Sequence, residues 1–271
     1  MNKRNFKLEE LIINDYENGI NNKELCEKYS KHRSTIQQIL KRNNVFLRNG
    51  SDVSKKYEIN ENFFEKIDTQ DKAYVLGLIY ADGTISKKFV RINLVESDSH
   101  ILDDIAKKIF IGNYKISTIK SQTKLWENGK FYISKPQKAL IISRKKIVDD
   151  LKSLGACERK SFTIKFPNIL DDFISHFIRG FFDGDGCFYT SEKYINNNRV
   201  DIISNHSFLL ELKHIIETNI NITVIVKQIN NTEMGRLHIY GNRKSKIFLD
   251  WIYQDSELKI NRKYKHYLEL E

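Results

Sequence analysis

Two ten-residue stretches constrain this chain more than anything else in it: Tyr74 to Gly83, Tyr-Val-Leu-Gly-Leu-Ile-Tyr-Ala-Asp-Gly, and Phe177 to Gly186, Phe-Ile-Arg-Gly-Phe-Phe-Asp-Gly-Asp-Gly. Each is an apolar run with a small residue, three bulky residues, a second small residue and then Asp-Gly. Asp185 follows Asp82 by 103 residues, and Gly180 follows Gly77 by the same 103. The chain therefore contains an internal repeat, and each copy reads as a helix that must pack against another helix. Gly77 and Ala81, and likewise Gly180 and Gly184, lie one turn apart on one face and form a smooth strip where a partner backbone can come close. A glycine in a helix interior costs about 0.5–1 kcal/mol against alanine, so Gly180 and Gly184 need a packing reason. Gly83 and Gly186 fall where a helix commonly ends in a left-handed residue.

Asp82 and Asp185 are the anomaly. An acid in the last turn meets the negative end of the helix dipole, at a cost of roughly 0.3–1 kcal/mol. Two such acids brought together by a close helix pair repel unless cations neutralise them. Hard carboxylate oxygens suit Mg²⁺, which binds through one or two carboxylates and fills its shell with water and phosphate oxygens.

Val75 to Gly83 and Ile178 to Gly186 resemble the paired motifs of the LAGLIDADG homing endonucleases. The first copy departs most at Tyr80, where the family name has its first Asp; the second keeps both acids, Asp183 and Asp185, but carries Arg179 and two phenylalanines. The resemblance implies that the last acid of each motif, Asp82 and Asp185, is catalytic and holds a divalent ion, Mg²⁺. It implies two sheets forming a saddle over the DNA major groove, and a double-strand break in a long, nearly palindromic target. It also implies a monomer with internal pseudo-twofold symmetry. Lys145 and Lys244, just after the final strand of each half, are the expected basic groups around the water network, with Glu96 and Ser204 nearby. A DNA-binding regulator without nuclease activity, or an intron-splicing maturase, is the alternative on the same scaffold. Loss of a motif acid usually marks such retired sites, and both acids are present here.

The charge balance agrees with a polyanionic partner: 45 Lys and Arg against 35 Asp and Glu give a net charge of +10 and a pI near 9.3. Three cysteines without a CxxC pair suggest neither disulfides nor zinc, and no apolar run approaches a membrane span. An intracellular protein is expected.

Before the repeat, residues 1–48 read as three short helices. Leu8, Leu11, Ile12 and Tyr16 recur at helical spacing; Lys23 to Tyr29 and Arg33 to Arg42 follow around a turn near Ser30. The arrangement resembles a helix-turn-helix of the resolvase and transposase kind. On its last helix Arg33, Gln37 and Gln38 suit base edges, while Lys41 and Arg42 suit phosphates. Residues 49–66 read as a linker, 67–157 as the first half and 158–271 as the second.

The class is α+β, each half running helix, two strands, helix, two strands, helix. Period-2 alternation turns one sheet face to its own helices and the other outward to DNA. The expected outward residues are Arg91, Asn93, Lys115, Lys120, Lys124 and Lys138 in the first half. In the second they are Arg199, Lys227, Arg236, His238 and Tyr240, with Ser117, Tyr132 and Asp201 as further candidates.

Overall fold

A computed structural model describes the chain except for residues 1–4, 19, 46, 48–56, 126–128, 157–163, 190–197, 231 and 270–271. It divides into two compact units, 1–58 and 59–271. The first 49–56 of the expected linker and most of the segment joining the halves lie outside the described residues. The remainder of that linker does not behave as one, since Phe63 and Phe64 are buried in the second unit.

The first unit is three helices, α1 (Phe6–Glu17), α2 (Asn22–Tyr29) and α3 (Arg33–Arg42). Asn5 caps α1 by accepting from Leu8 N, and Asn21 with Glu24 forms a capping box on α2. Ser30, at φ 50°, makes the left-handed turn after α2. Ile12, Tyr16, Leu25, Ile36, Ile39 and Leu40 form the core.

In the second unit, the first half runs α4 (Gln70–Asp82), β1 (Gly83–Ile85), β2 (Val90–Val95), α5 (His100–Ile109), β3 (Ile116–Ile119), a hairpin of β4 (Thr123–Leu125) and β5 (Phe131–Ile133), β6 (Gln137–Ile142) and α6 (Lys145–Ser153). The second half runs α7 (Ile174–Asp185), β7 (Gly186–Tyr189), β8 (Arg199–Asn205), α8 (His206–Ile220), β9 (Ile225–Gln228), β10 (Met234–Tyr240) and α9 (Asn242–Tyr253). Both sheets are four-stranded and antiparallel, in the orders β1-β2-β6-β3 and β7-β8-β10-β9. The connectivity is the same in each, so the repeat seen in two short motifs extends through both halves. Thr69 caps α4 by accepting from Lys72 N.

Helices α4 and α7 pack backbone to backbone. A Cβ on Gly77 would sit 2.0 Å from Phe177 O, and one on Gly180 would sit 2.0 Å from Tyr74 O. These contacts are twofold-related, because Phe177 and Gly180 are the repeat partners of Tyr74 and Gly77. Nearer the ends, a Cβ on Gly184 would lie 2.2 Å from that of Ala81. The small-residue strip is therefore what lets the two helices touch along their length.

Gly83 and Gly186 correct the expectation of a left-handed cap. Their φ/ψ angles are −74°/142° and −78°/153°, and each leads straight from helix into strand. Space decides these positions: a Cβ on Gly83 would lie 2.5 Å from Ile79 O, and one on Gly186 2.0 Å from the Phe182 ring.

The basic segment after α9 forms a further helix, α10 (Asn261–Leu268). Arg262 reaches Asp98 of the first half at 2.8 Å, and Asp183 of α7 accepts from Ile260 N at 2.8 Å.

Candidate active site and nucleic-acid interface

The two acids of the repeat end the two packed helices. Asp82 Oδ2 lies 3.1 Å from the point a Cβ on Gly184 would occupy, so the first carboxylate rests against the residue preceding Asp185. Asp82 is half-buried and Asp185 exposed. Asp185 opens onto a cleft of about 300 Å³ lined also by Tyr80, Ala81, Ile164, Ile203, Ser204 and Met234. Both halves contribute to it: Tyr80 and Ala81 come from α4, and Ile203, Ser204 and Met234 from the second sheet.

A third charged group stands here that the sequence reading did not single out. Lys263 of α10 donates to Phe182 O and Gly186 O, both at 2.6 Å, at the C-terminal end of α7. Its ammonium thus complements the negative end of that helix. Burial pulls its pKa below the usual lysine range, opposed by the negative charges of Asp183 and Asp82. The only sequence signal was the basic character of the tail.

Asp183, the other acid of the second motif, has a different task. It is 2% exposed and accepts from Tyr74 OH, Tyr253 OH and Ile260 N, each at 2.8 Å. Burial raises its pKa against those hydrogen bonds and the charge of Lys263. It fastens α4, α9 and the C-terminal segment to α7. Its repeat partner is Tyr80, whose hydroxyl donates to Leu154 O at the end of α6. The position is a tether in both halves, which accounts for the departure at Tyr80. Arg179 is also structural: fully buried, it donates to Leu258 O and Ile252 O at 3.0 and 2.9 Å.

Lys145 opens α6 with an exposed side chain paired to Asp149, and Lys244 is exposed on the first turn of α9. Neither is among the cleft-lining residues; Ser204 is. Glu96 is exposed at the end of β2.

Strand register sorts the outward residues. In the second sheet Arg199, Asp201 and Ile203 of β8 stand opposite Tyr240, His238 and Arg236 of β10, and Lys227 of β9 also pairs with Arg236. Val200, Ile202, Leu237 and Ile239 point the other way into the core. All five residues expected on this sheet therefore share one face. In the first sheet Arg91 and Asn93 pair with Ile141 and Ala139 and face outward with Ser117. Lys138 corrects the expectation: it pairs with Leu94 and Thr118, in the parity of the buried Leu94 and Leu140, and so lies on the helix-side face at the sheet margin. Lys115 and Lys120 flank β3 and are exposed, and Lys124 lies on β4 opposite Tyr132.

On α3, Arg33, Gln38 and Lys41 are exposed and Gln37 is half-buried. Arg42 departs from the phosphate role expected of it. It pairs with Glu9, which is only 4% exposed and also accepts from Asn43 at 3.0 Å. That contact closes the three-helix unit.

A cation fits the paired acids by the chemistry of the donor set: two carboxylates at helix ends, hard oxygen ligands beside an open cleft. Among the described residues no cluster of three or more His, Cys, Asp or Glu forms a closed metal cage. A pair of carboxylates supplies only part of a coordination shell, which suits an ion that takes its other ligands from water and phosphate. No helix among the described residues is long and apolar enough to cross a membrane.

The LAGLIDADG-like domain family matches over residues 172–253. No curated protein matches the chain. Among solved structures, the homing endonuclease I-WcaI bound to its DNA recognition sequence is similar, with a TM-score of 0.54 and 14% identity over 83% of this chain and 96% of that one. The meganuclease I-SmaMI bound to DNA aligns at a TM-score of 0.46 and 11% identity, covering 73% of this chain and 88% of that one. I-AabMI, a LAGLIDADG meganuclease, aligns at 0.45 and 12%, covering 73% and 87%. Residues 172–253 thus match the LAGLIDADG-like domain model, and the two halves repeat one topology in a fold similar to that of the homing endonuclease I-WcaI.

Proposed function

We propose that this protein is a site-specific DNA endonuclease that makes a divalent-metal-dependent double-strand break in a long, pseudo-palindromic target. The observation that carries this reading is the twofold pair of acids, Asp82 and Asp185, at the ends of helices held together through Gly77 and Gly180. The likeness to I-WcaI, a homing endonuclease bound to its recognition sequence, supports the same reading.

The chain's own residues divide the work. The outward faces of the two sheets bind the duplex, with Arg199, Arg236 and Lys227 on the second and Arg91 and Asn93 on the first. Protein pseudo-symmetry then implies target pseudo-symmetry. Asp82 and Asp185 hold divalent ions, Mg²⁺ by the hardness of their oxygens. Such ions supply charge neutralisation at the scissile phosphate and activation of the attacking water. Lys263 keeps a fixed positive charge beside the acids and steadies the end of α7. The three-helix unit adds a second DNA contact through Arg33, Gln37, Gln38 and Lys41. The protein acts as a monomer on double-stranded DNA inside the cell, with both active acids in one chain.

The test is cleavage of a randomised double-stranded DNA library with and without Mg²⁺. Cutting at one sequence, reduced to nicking or abolished in Asp82→Asn and Asp185→Asn while binding persists, is the expected result. Full double-strand cutting by either variant defeats the assignment, and sequence-specific binding without cutting by the native chain points to a regulator.

A further inference from the structure

The outward face of the second sheet carries a prebuilt cluster that the shared surface alone does not explain. Arg199 stands between Tyr189 of β7 and Tyr240 of β10, its two cross-strand neighbours. Its guanidinium lies 4.8 Å from the centre of the Tyr189 ring and 6.0 Å from that of Tyr240. Below it, Asp201 is 4% exposed. Arg199 Nε sits 2.9 Å from Asp201 Oδ1 as a charge contact too bent for a hydrogen bond, and His238 Nδ1 lies 2.7 Å from the same oxygen. The His238 ring stacks on Tyr240 at 5.1 Å. Asp201 Oδ2 is buried without a hydrogen-bond partner among the described residues. A carboxylate placed this deep in an outward sheet face, with one oxygen unused, calls for an explanation beyond strand stability.

We propose that Arg199 is a specificity-determining residue that reads a guanine in the target, and that Asp201, Tyr189 and Tyr240 are its positioning residues. The inference rests on the DNA-binding reading above. Aromatic faces on both sides and an anion at Nε fix the guanidinium plane. The terminal nitrogens, which make no hydrogen bond among the described residues, are left to donate as a fork. A fork of that shape matches guanine O6 and N7 in the major groove, which admits a β-ribbon. A lysine has neither the plane nor the fork. The first half lacks the cluster: by its register, Gly83 opposite Ile92 as Gly186 is opposite Ile202, the position matching Arg199 is Phe89. The guanine contact therefore belongs to one half-site only.

The experiment is selection of bound duplexes from a randomised library with the full chain, comparing native protein with Arg199→Ala, Arg199→Lys and Asp201→Asn. The native chain is expected to fix a guanine at one position. Both Arg199 variants should lose that preference by about ten- to a hundred-fold, with the other positions unchanged. Asp201→Asn should weaken it several-fold at the same position, an effect that a merely structural aspartate would spread over the site. Melting curves check folding; where Arg199→Ala melts early, Arg199→Lys, which keeps the charge and stem, decides. Unchanged base preferences at every position in the Arg199 variants overturn the proposal and leave the DNA-binding reading standing. A native chain that retains no duplex overturns both.

Discussion

Gly77→Ala tests the packing on which the site depends. The added Cβ would lie 2.0 Å from Phe177 O and 2.8 Å from Phe181 N, both backbone atoms that no rotamer change can remove. Since real Cβ contacts essentially never fall under 3.0 Å, α4 and α7 must part by about 1.0 Å or more at that point. Overpacking of a filled core costs typically 1–3 kcal/mol, and the rigid neighbours place this case at the upper end. Alanine returns about 1 kcal/mol of helix propensity, leaving a net loss of about 2 kcal/mol. For a unit of this size that is a drop of about 4–8 °C in Tm. A shift of about 1 Å between reacting groups can lower a rate on the order of a hundredfold, so cleavage should fall further than stability suggests. Gly180→Ala should behave alike, because its Cβ meets Tyr74 O at 2.0 Å. The double variant should lose less than the sum, since one separation relieves both clashes. Calorimetry and single-turnover cleavage measure the two effects. A Gly77→Ala protein melting at or above the native Tm, or strictly additive losses in the double variant, would refute the reasoning.

Asp183→Ala leaves Tyr74 OH, Tyr253 OH and Ile260 N without their acceptor, so a loss of about 3 kcal/mol is expected in urea unfolding. Hydrogen exchange should show α10 released first. Arg42→Ala removes the charge partner of the buried Glu9, leaving the hydrogen bond from Asn43, and should destabilise the three-helix unit by about 2 kcal/mol, whereas Lys41→Ala should leave its stability unchanged and weaken DNA binding; exchange protection of α1 and titration with duplex separate the two. Burial, then the charge of Arg179, lowers His176 from 6.5 to about 4. A depressed histidine stabilises the fold above its unfolded pKa and loses that contribution as pH falls from 6.5 towards 4. Halved for solvent screening, the loss amounts to about 1 kcal/mol by pH 5. Unfolding of His176→Asn should show a correspondingly flatter pH profile, and identical profiles would exclude His176 as the source.

Local patterns in the sequence were sufficient for the elements that periodicity controls. The repeat of Gly77, Asp82, Gly180 and Asp185 anticipated a helix pair, and alternation in Val90 to Val95 and Arg199 to Ile203 identified two strands with their correct outward residues. What escaped depends on contacts between distant segments. Lys138 could not be assigned a face without knowing that it pairs with Leu94. Arg42 looks like any basic residue in a last turn until Glu9, buried 33 positions away, is found beneath it. Gly83 and Gly186 suggested a backbone angle, but a crowded helix-to-strand junction is what excludes a side chain there. Lys263 reaches the site only because Asp183 docks Ile260, 77 residues further along the chain.

Where Gly77 and Gly180 cross, α4 and α7 meet through main-chain atoms, whereas the sheet faces proposed to read DNA are made of side chains. On the proposed reading, exchanging outward sheet residues such as Arg199, Arg236 or Asn93 would change the target without disturbing the spacing of the acids. The converse does not hold: a bulkier residue at Gly77 or Gly180 would move the two acids apart, and on the proposed reading would disturb the cutting of both strands whatever sequence the sheets select.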